Sequence, residues 1–113
     1  MENKIKSYRD LDVYQRSYAA MLRTMKELVP KLPKSEKYDL ADQLSRSCKA
    51  IPRLIAEGFA KKHQKLGFKK YLDDALAESN ETTVGVEQSR DLYNIDGELC
   101  DDLVKEYDII SKQ

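Results

Sequence analysis

Ile51-Pro52-Arg53-Leu54-Ile55-Ala56-Glu57-Gly58-Phe59 places a proline inside an apolar pattern that keeps helical spacing on both sides. Proline in a helix interior removes one backbone hydrogen bond, here to the carbonyl of Cys48, and crowds that carbonyl, at a cost of about 3 kcal/mol unless packing offsets it. The stretch therefore reads as a core helix held by its neighbours, with a kink at Pro52. Upstream, Leu40, Leu44 and Cys48 continue the stripe of Ile51, Ile55 and Phe59. Ala41, Ala50, Leu54 and Ala56 widen it beyond one seam, as a helix with several contacts requires. Ser35 is its candidate N-cap, and Gly58 lies near its end.

Before this helix, Leu11, Tyr14, Tyr18, Met21, Met25, Leu28 and Leu32 recur at alternating spacings of three and four, a heptad seam. Asp10 or Asp12 can cap its start, and Pro30 and Pro33 end it at Val29 or shortly after. After it, the polar connector Lys62-His63-Gln64-Lys65 leads into a third segment reaching about Asn94. That seam, Phe68, Leu72, Ala75, Ser79, Thr82, Val86, Ser89 and Tyr93, is small and polar through its middle, which predicts close helix approach or local irregularity there. Asp96 can cap a last helix that turns Leu99, Leu103, Tyr107 and Ile110 inward. With no strand pattern and short connections, the expected fold is all-α: an antiparallel up-down-up-down four-helix bundle, one domain over residues 1–113. Helices two and three, nearly thirty residues each, are expected to reach about 40 Å.

Met1 to Asp12 alternates charges and lacks a signal-peptide apolar region, and no later run approaches membrane-spanning length. A cytoplasmic protein is expected. Cys48 and Cys100 form no CxxC pair and fall on apolar stripes, where reduced cysteine behaves as a small hydrophobe.

The formal net charge is zero, but it is split along the chain. Residues 1–70 hold 17 Lys or Arg against 8 Asp or Glu, and residues 71–113 hold 3 against 12, giving +9 and −9. The densest block contains Arg46, Lys49, Arg53, Lys61, Lys62, Lys65, Lys69 and Lys70 with Glu57 as its single acid. Arg46, Lys49 and Arg53 share one helix stripe, and the lysines cluster about the following turn. Such a strip can track a phosphate backbone, with Phe68 and Tyr71 beside it to stack on bases. The competing reading is that basic and acidic helices neutralise each other within the fold or across subunits.

Several stretches carry a resemblance: Tyr8-Arg9-Asp10-Leu11-Asp12-Val13-Tyr14-Gln15, Tyr38-x-Leu40-x-x-Gln43, Ile51-Pro52 with Ile55-Ala56-Glu57-Gly58-Phe59, and Ser79-Asn80-Glu81. Together they resemble the four-helix-bundle protein family, also called the 23S rRNA intervening-sequence protein family, over nearly the whole chain. The family often has tryptophan at Tyr14, asparagine at Leu54 and an acid at Gly67. The resemblance implies a four-helix subunit assembling into a homopentamer and no known reaction.

Glu57 and Glu81 are the two acids inside these motifs. A pair of carboxylates can do acid–base or metal chemistry, but the di-iron pattern needs Glu-x-x-His twice, and His63 is the one histidine, in a basic connector. Pro52, Glu57, Gly58 and Glu81 are therefore assigned structural roles. Glu57 is expected to be partly buried and paired with Arg53, with Arg46, or with a polar group of another helix. Tyr14, Tyr18, Tyr93 and Tyr107 are expected to bury their rings and leave the hydroxyl at a boundary, while Tyr8, Tyr38 and Tyr71 are candidates for an interface. No catalytic, metal or cofactor site is expected. The functional expectation is a non-enzymatic homo-oligomer whose basic surface meets RNA; the alternative is a structural or protein-binding scaffold without nucleic acid.

Overall fold

A computed structural model of the protein describes residues 5–113, and among these four α-helices and no strands occur. They are α1 (Asp12–Arg23), α2 (Leu40–Ala60), α3 (Gly67–Tyr93) and α4 (Gly97–Ser111). The contacts between neighbours run antiparallel. Gly58 near the end of α2 meets Phe68 and Tyr71 near the start of α3, while Gly85 late in α3 meets Leu40 and Leu44 at the start of α2. Between α3 and α4, Ser79 donates to the Tyr107 carbonyl and Arg90 pairs with Asp101. Arg16 reaches Glu106 and Lys31 reaches Asp96, which sets α1 and the turn after it against α4 in reverse order.

The ends of the helices follow local chemistry. Ser7 and Asp10 form a capping box on a short 3-10 turn, so Asp10 caps that turn while α1 begins at Asp12 without a side-chain cap. Beyond Arg23 the helix widens into a π-turn, Thr24–Leu28, and tightens into a 3-10 turn at Val29–Lys31 before Pro33. Ser35 is not the N-cap of α2. It sits in a separate 3-10 turn, Lys34–Glu36, and the Glu36 carboxylate accepts the Leu40 N–H instead, at 3.0 Å. The second helix is thereby shortened to 21 residues, about 32 Å rather than about 40 Å, while the 27 residues of α3 do span about 40 Å. Asp96 caps α4 by accepting from Leu99 N–H. Pro52 lies inside α2, is buried, and does not end the helix.

The core contains Leu28, Leu44, Cys48, Ile51, Ile55, Val86, Leu103 and Tyr107, each at most 1% exposed. On α1 the buried residues are Ser17 and Ala20, followed by Thr24 and Leu28 in the π-turn. The heptad seam of Tyr14, Tyr18 and Met21 is thus only partly covered, and Tyr18 is 44% exposed. The small, polar middle of α3 is a zone of close approach, not irregularity. A Cβ on Gly85 would lie 2.7 Å from Leu44 Cδ2, and the Thr82 hydroxyl donates to Ser47 at 2.8 Å. Small side chains let two helices approach, and their hydroxyls, once buried, must find partners. Among the described residues every buried side-chain polar atom is hydrogen-bonded.

Tyr107 is fully buried, hydroxyl included, contrary to a boundary position; its oxygen lies 2.7 Å from Thr24 Oγ1. Tyr107→Phe is expected to cost about 1–2 kcal/mol, because Thr24 keeps a bond to the Ala20 carbonyl but loses its second partner. Denaturant unfolding checks this through a lowered midpoint at unchanged slope. Both cysteines are buried free thiols. Burial pushes the Cys48 thiol up to about 11 from an ordinary value near 9, leaving about 0.1% thiolate at pH 8. Labelling of native protein at pH 8 is therefore expected to be slow and to accelerate on unfolding. The raised pKa also contributes stability present below pH ~9 and lost as pH climbs toward about 11.

Candidate nucleic-acid interface

The second helix turns Ile51 and Ile55 into the core, which forces Arg46, Lys49 and Arg53 outward on the same helix. All three are exposed. The α2–α3 turn carries Lys61, half-buried, with Lys62 and Lys65 exposed. Lys62 Nζ lies 3.8 Å from the centre of the Phe59 ring, a cation–π contact that holds the ammonium at the turn's surface. Lys69 and Lys70 open α3, on the far side of the turn.

Partners divide this set. Arg46 pairs with Asp42, Lys69 with Asp73 and Lys70 with Asp74, each one turn along its own helix. Such exposed pairs contribute little and are screened by salt. Lys49, Arg53, Lys61, Lys62 and Lys65 have no ion-pair partner among the described residues. The bridges that do link separate elements, Arg16–Glu106, Lys31–Asp96 and Arg90–Asp101, use cations outside the 46–70 block. The basic stripe is therefore not neutralised by the acidic helices of the same chain among the described residues.

The turn is built by close packing. A Cβ on Gly67 would meet the Lys61 carbonyl oxygen at 2.6 Å, so an acid at this position requires a different turn. Leu66 takes a left-handed conformation, φ 64°, to feed the chain into α3. Gly58 brings α3 against α2: an added Cβ would meet Tyr71 Cβ at 2.8 Å. Of the two aromatic residues expected beside the lysines, Phe68 and Tyr71 are both half-buried, in contact with Gly58.

Glu57 is exposed, not partly buried, and it has no ion pair with Arg53 or Arg46. The sequence placed it beside Ala56, Gly58 and Phe59, but helix geometry turns the side chain away from the face on which Gly58 packs. Glu81 is exposed as well and lies level with Ser47, since Thr82 contacts Ser47; the ten residues from Ser47 to Glu57 correspond to about 15 Å along α2. The two acids do not share a site. Instead Glu81 adjoins Glu78, whose carboxyl is raised by partial burial and then by Glu81. Among the described residues no three His, Cys, Asp or Glu side chains come together as metal ligands. His63 is exposed in the turn.

One surface was not legible as a stripe. Leu76, Asn80, Val84, Gln88 and Leu92 recur every four residues along the outside of α3, all exposed and none charged. Val84 is 51% and Leu92 65% exposed. Their spacing was the available signal, obscured by the stronger inward seam of the same helix.

Fold and surface together define a small all-α four-helix protein with an unneutralised basic stripe along one helix and its turn. The chain matches the family described as 23S rRNA-intervening sequence protein over residues 9–113, and it belongs to that family. A search of the curated proteins found no match. No helix among the described residues is long and apolar enough to cross a membrane.

Proposed function

We propose that the protein is a non-catalytic homo-oligomer, a pentamer as the family resemblance implies, that binds RNA through the stripe and turn formed by Lys49, Arg53, Lys61, Lys62 and Lys65. The observation that carries this reading is five cations on α2 and the turn after it that have no ion-pair partner among the described residues, with the exposed Glu57 the one acid of the 46–70 block. Fixed positive charge with no internal partner gains most from a polyanion, whose counterions are released on contact. The uncharged outer stripe of α3 supports assembly, because a subunit contact favours apolar residues with few charges at its centre.

The split of charge into a basic and an acidic half favours a second reading, a scaffold in which the stripe of one subunit meets the acids of the next. Two measurements separate them: the mass of the purified assembly, and its RNA affinity as a function of salt. Affinity that falls steeply with salt supports RNA binding. An assembly that binds no structured or single-stranded RNA, and dissociates as salt rises, supports the scaffold.

A further inference from the structure

The seam of α1 that the core leaves partly open faces the basic stripe of α2. Tyr8, Tyr14 and Tyr18 line one wall of a cleft of about 350 Å³, and Lys49, Pro52 and Arg53 line the other. This volume lies near the lower end of small-ligand sites. The tyrosines form a row: Tyr8 meets Tyr14 edge to face at 4.9 Å, and Tyr14 meets Tyr18 at 5.9 Å with the rings tilted by 34°. The Arg9 guanidinium covers the Tyr8 ring at 4.6 Å and closes that end of the row. The other end, Tyr18, is open.

We propose that this cleft takes one unpaired base of single-stranded RNA, which adds to the row at Tyr18, while Lys49 and Arg53 hold the adjoining phosphates. The inference rests on the RNA-binding reading and deepens it to a strand type and a subsite. An aromatic ring accepts any base by its π-face, and cations one helical turn apart, about 6 Å along the axis, hold the backbone without reading sequence. Both features are present in one recess, and neither cation has an acidic partner among the described residues. A duplex satisfies the cations alone. Its bases are stacked inside the helix, and its backbone cannot fill a recess whose wall is aromatic.

The test compares wild type with Tyr18→Leu and with the double variant Lys49→Gln, Arg53→Gln. Each is titrated with a labelled single-stranded decanucleotide and with a hairpin duplex at several salt concentrations. Tyr18→Leu is expected to weaken single-strand binding by about five- to 150-fold, with salt dependence and duplex affinity unchanged. The double variant is expected to lower the single-strand salt slope by about 1.4, two contacts' worth. Photo-crosslinking of an iodouridine-bearing strand is expected to mark Tyr14 or Tyr18. Unchanged single-strand affinity in Tyr18→Leu, or crosslinks confined to other residues, overturns the subsite and leaves RNA binding standing. A change of assembly mass in Tyr18→Leu at unchanged affinity overturns it in favour of a subunit contact. No binding of either RNA by wild type overturns the general reading and the subsite together.

Discussion

Changing Lys49, Arg53, Lys61, Lys62 and Lys65 together to glutamine is expected to abolish most RNA affinity while leaving the fold intact. Each cation that meets a phosphate of a single strand adds about 0.7 to the slope of log affinity against log salt, so five contacts give a slope of about −3.5. Wild type should then weaken by about 100-fold between about 50 and about 200 mM salt, and the variant's curve should be nearly flat. At the low-salt end the variant should bind at least about 100-fold more weakly. None of the five has an ion-pair partner among the described residues, so their loss breaks no internal ion pair seen in the structure. Each substitution should move thermal unfolding by about 2 °C or less, as for surface positions generally, with Lys62 losing in addition its contact with the Phe59 ring. An affinity that survives the change, or a salt slope that does not fall, removes the stripe from any role in RNA binding. Arg46→Gln or Lys69→Gln alone should do less, because each already faces a neighbouring carboxylate.

The largest effect on stability is expected at Gly58. A side chain there would put its Cβ 2.8 Å from Tyr71 Cβ and 3.0 Å from Phe68 Cδ1. Tyr71 Cβ is fixed to the backbone of α3, so it cannot swing aside; α3 itself must move. Gly58→Val should therefore cost about 2–3 kcal/mol, the overpacking penalty less a few tenths regained from helix propensity. In a domain of this size that lowers the melting temperature by about 10 °C. Gly97→Ala is the control. Nothing lies within 4 Å of its added Cβ, and its φ is not positive, so the melting temperature should hold or rise slightly. If Gly58→Val melts with wild type at the same protein concentration, the close α2–α3 approach is wrong.

Much of the fold was legible because helical periodicity carries over from sequence to packing. The α3 seam ran inward from Phe68 to Ser89 as its spacing indicated, and its small, polar middle became the close approach that Gly85, Thr82 and Ser47 make. The first helix was harder. Its large residues suggested a buried seam of tyrosines and methionines, yet Ser17, Ala20 and Thr24 took the core positions. Hydrophobicity favoured the large residues, but packing against another helix decides which face is covered, as where the Thr24 hydroxyl meets the buried Tyr107 hydroxyl of α4 at 2.7 Å. Tyr93 shows the same limit. Its ring is 37% exposed, and its hydroxyl donates to Glu36, a residue in the connector between α1 and α2.

The candidate site divides along similar lines. The cluster of cations from Arg46 to Lys70 is a property of the sequence, and so is its lack of nearby acids other than Glu57. Which cations are paired was not. Asp42, Asp73 and Asp74 each sit one turn from a cation and claim Arg46, Lys69 and Lys70. Glu57 could pair at the same spacing with Arg53 or Lys61, and in the structure it pairs with neither. Helical spacing permits an ion pair, but side-chain direction decides whether it forms.

Sequence alone determined that Ile51 to Phe59 is helical, that the chain is all-α with four helices, and that positive charge gathers about one turn. These follow from periodicity and composition, which act over a few residues at a time. The tertiary structure decided where Pro52 is buried, why Gly58 must be glycine, that Glu57 is exposed, and that three tyrosines face Lys49 and Arg53 across a cleft. Each of those depends on which face of one helix meets which face of another, and that choice is made by the fit of side chains distant in the chain.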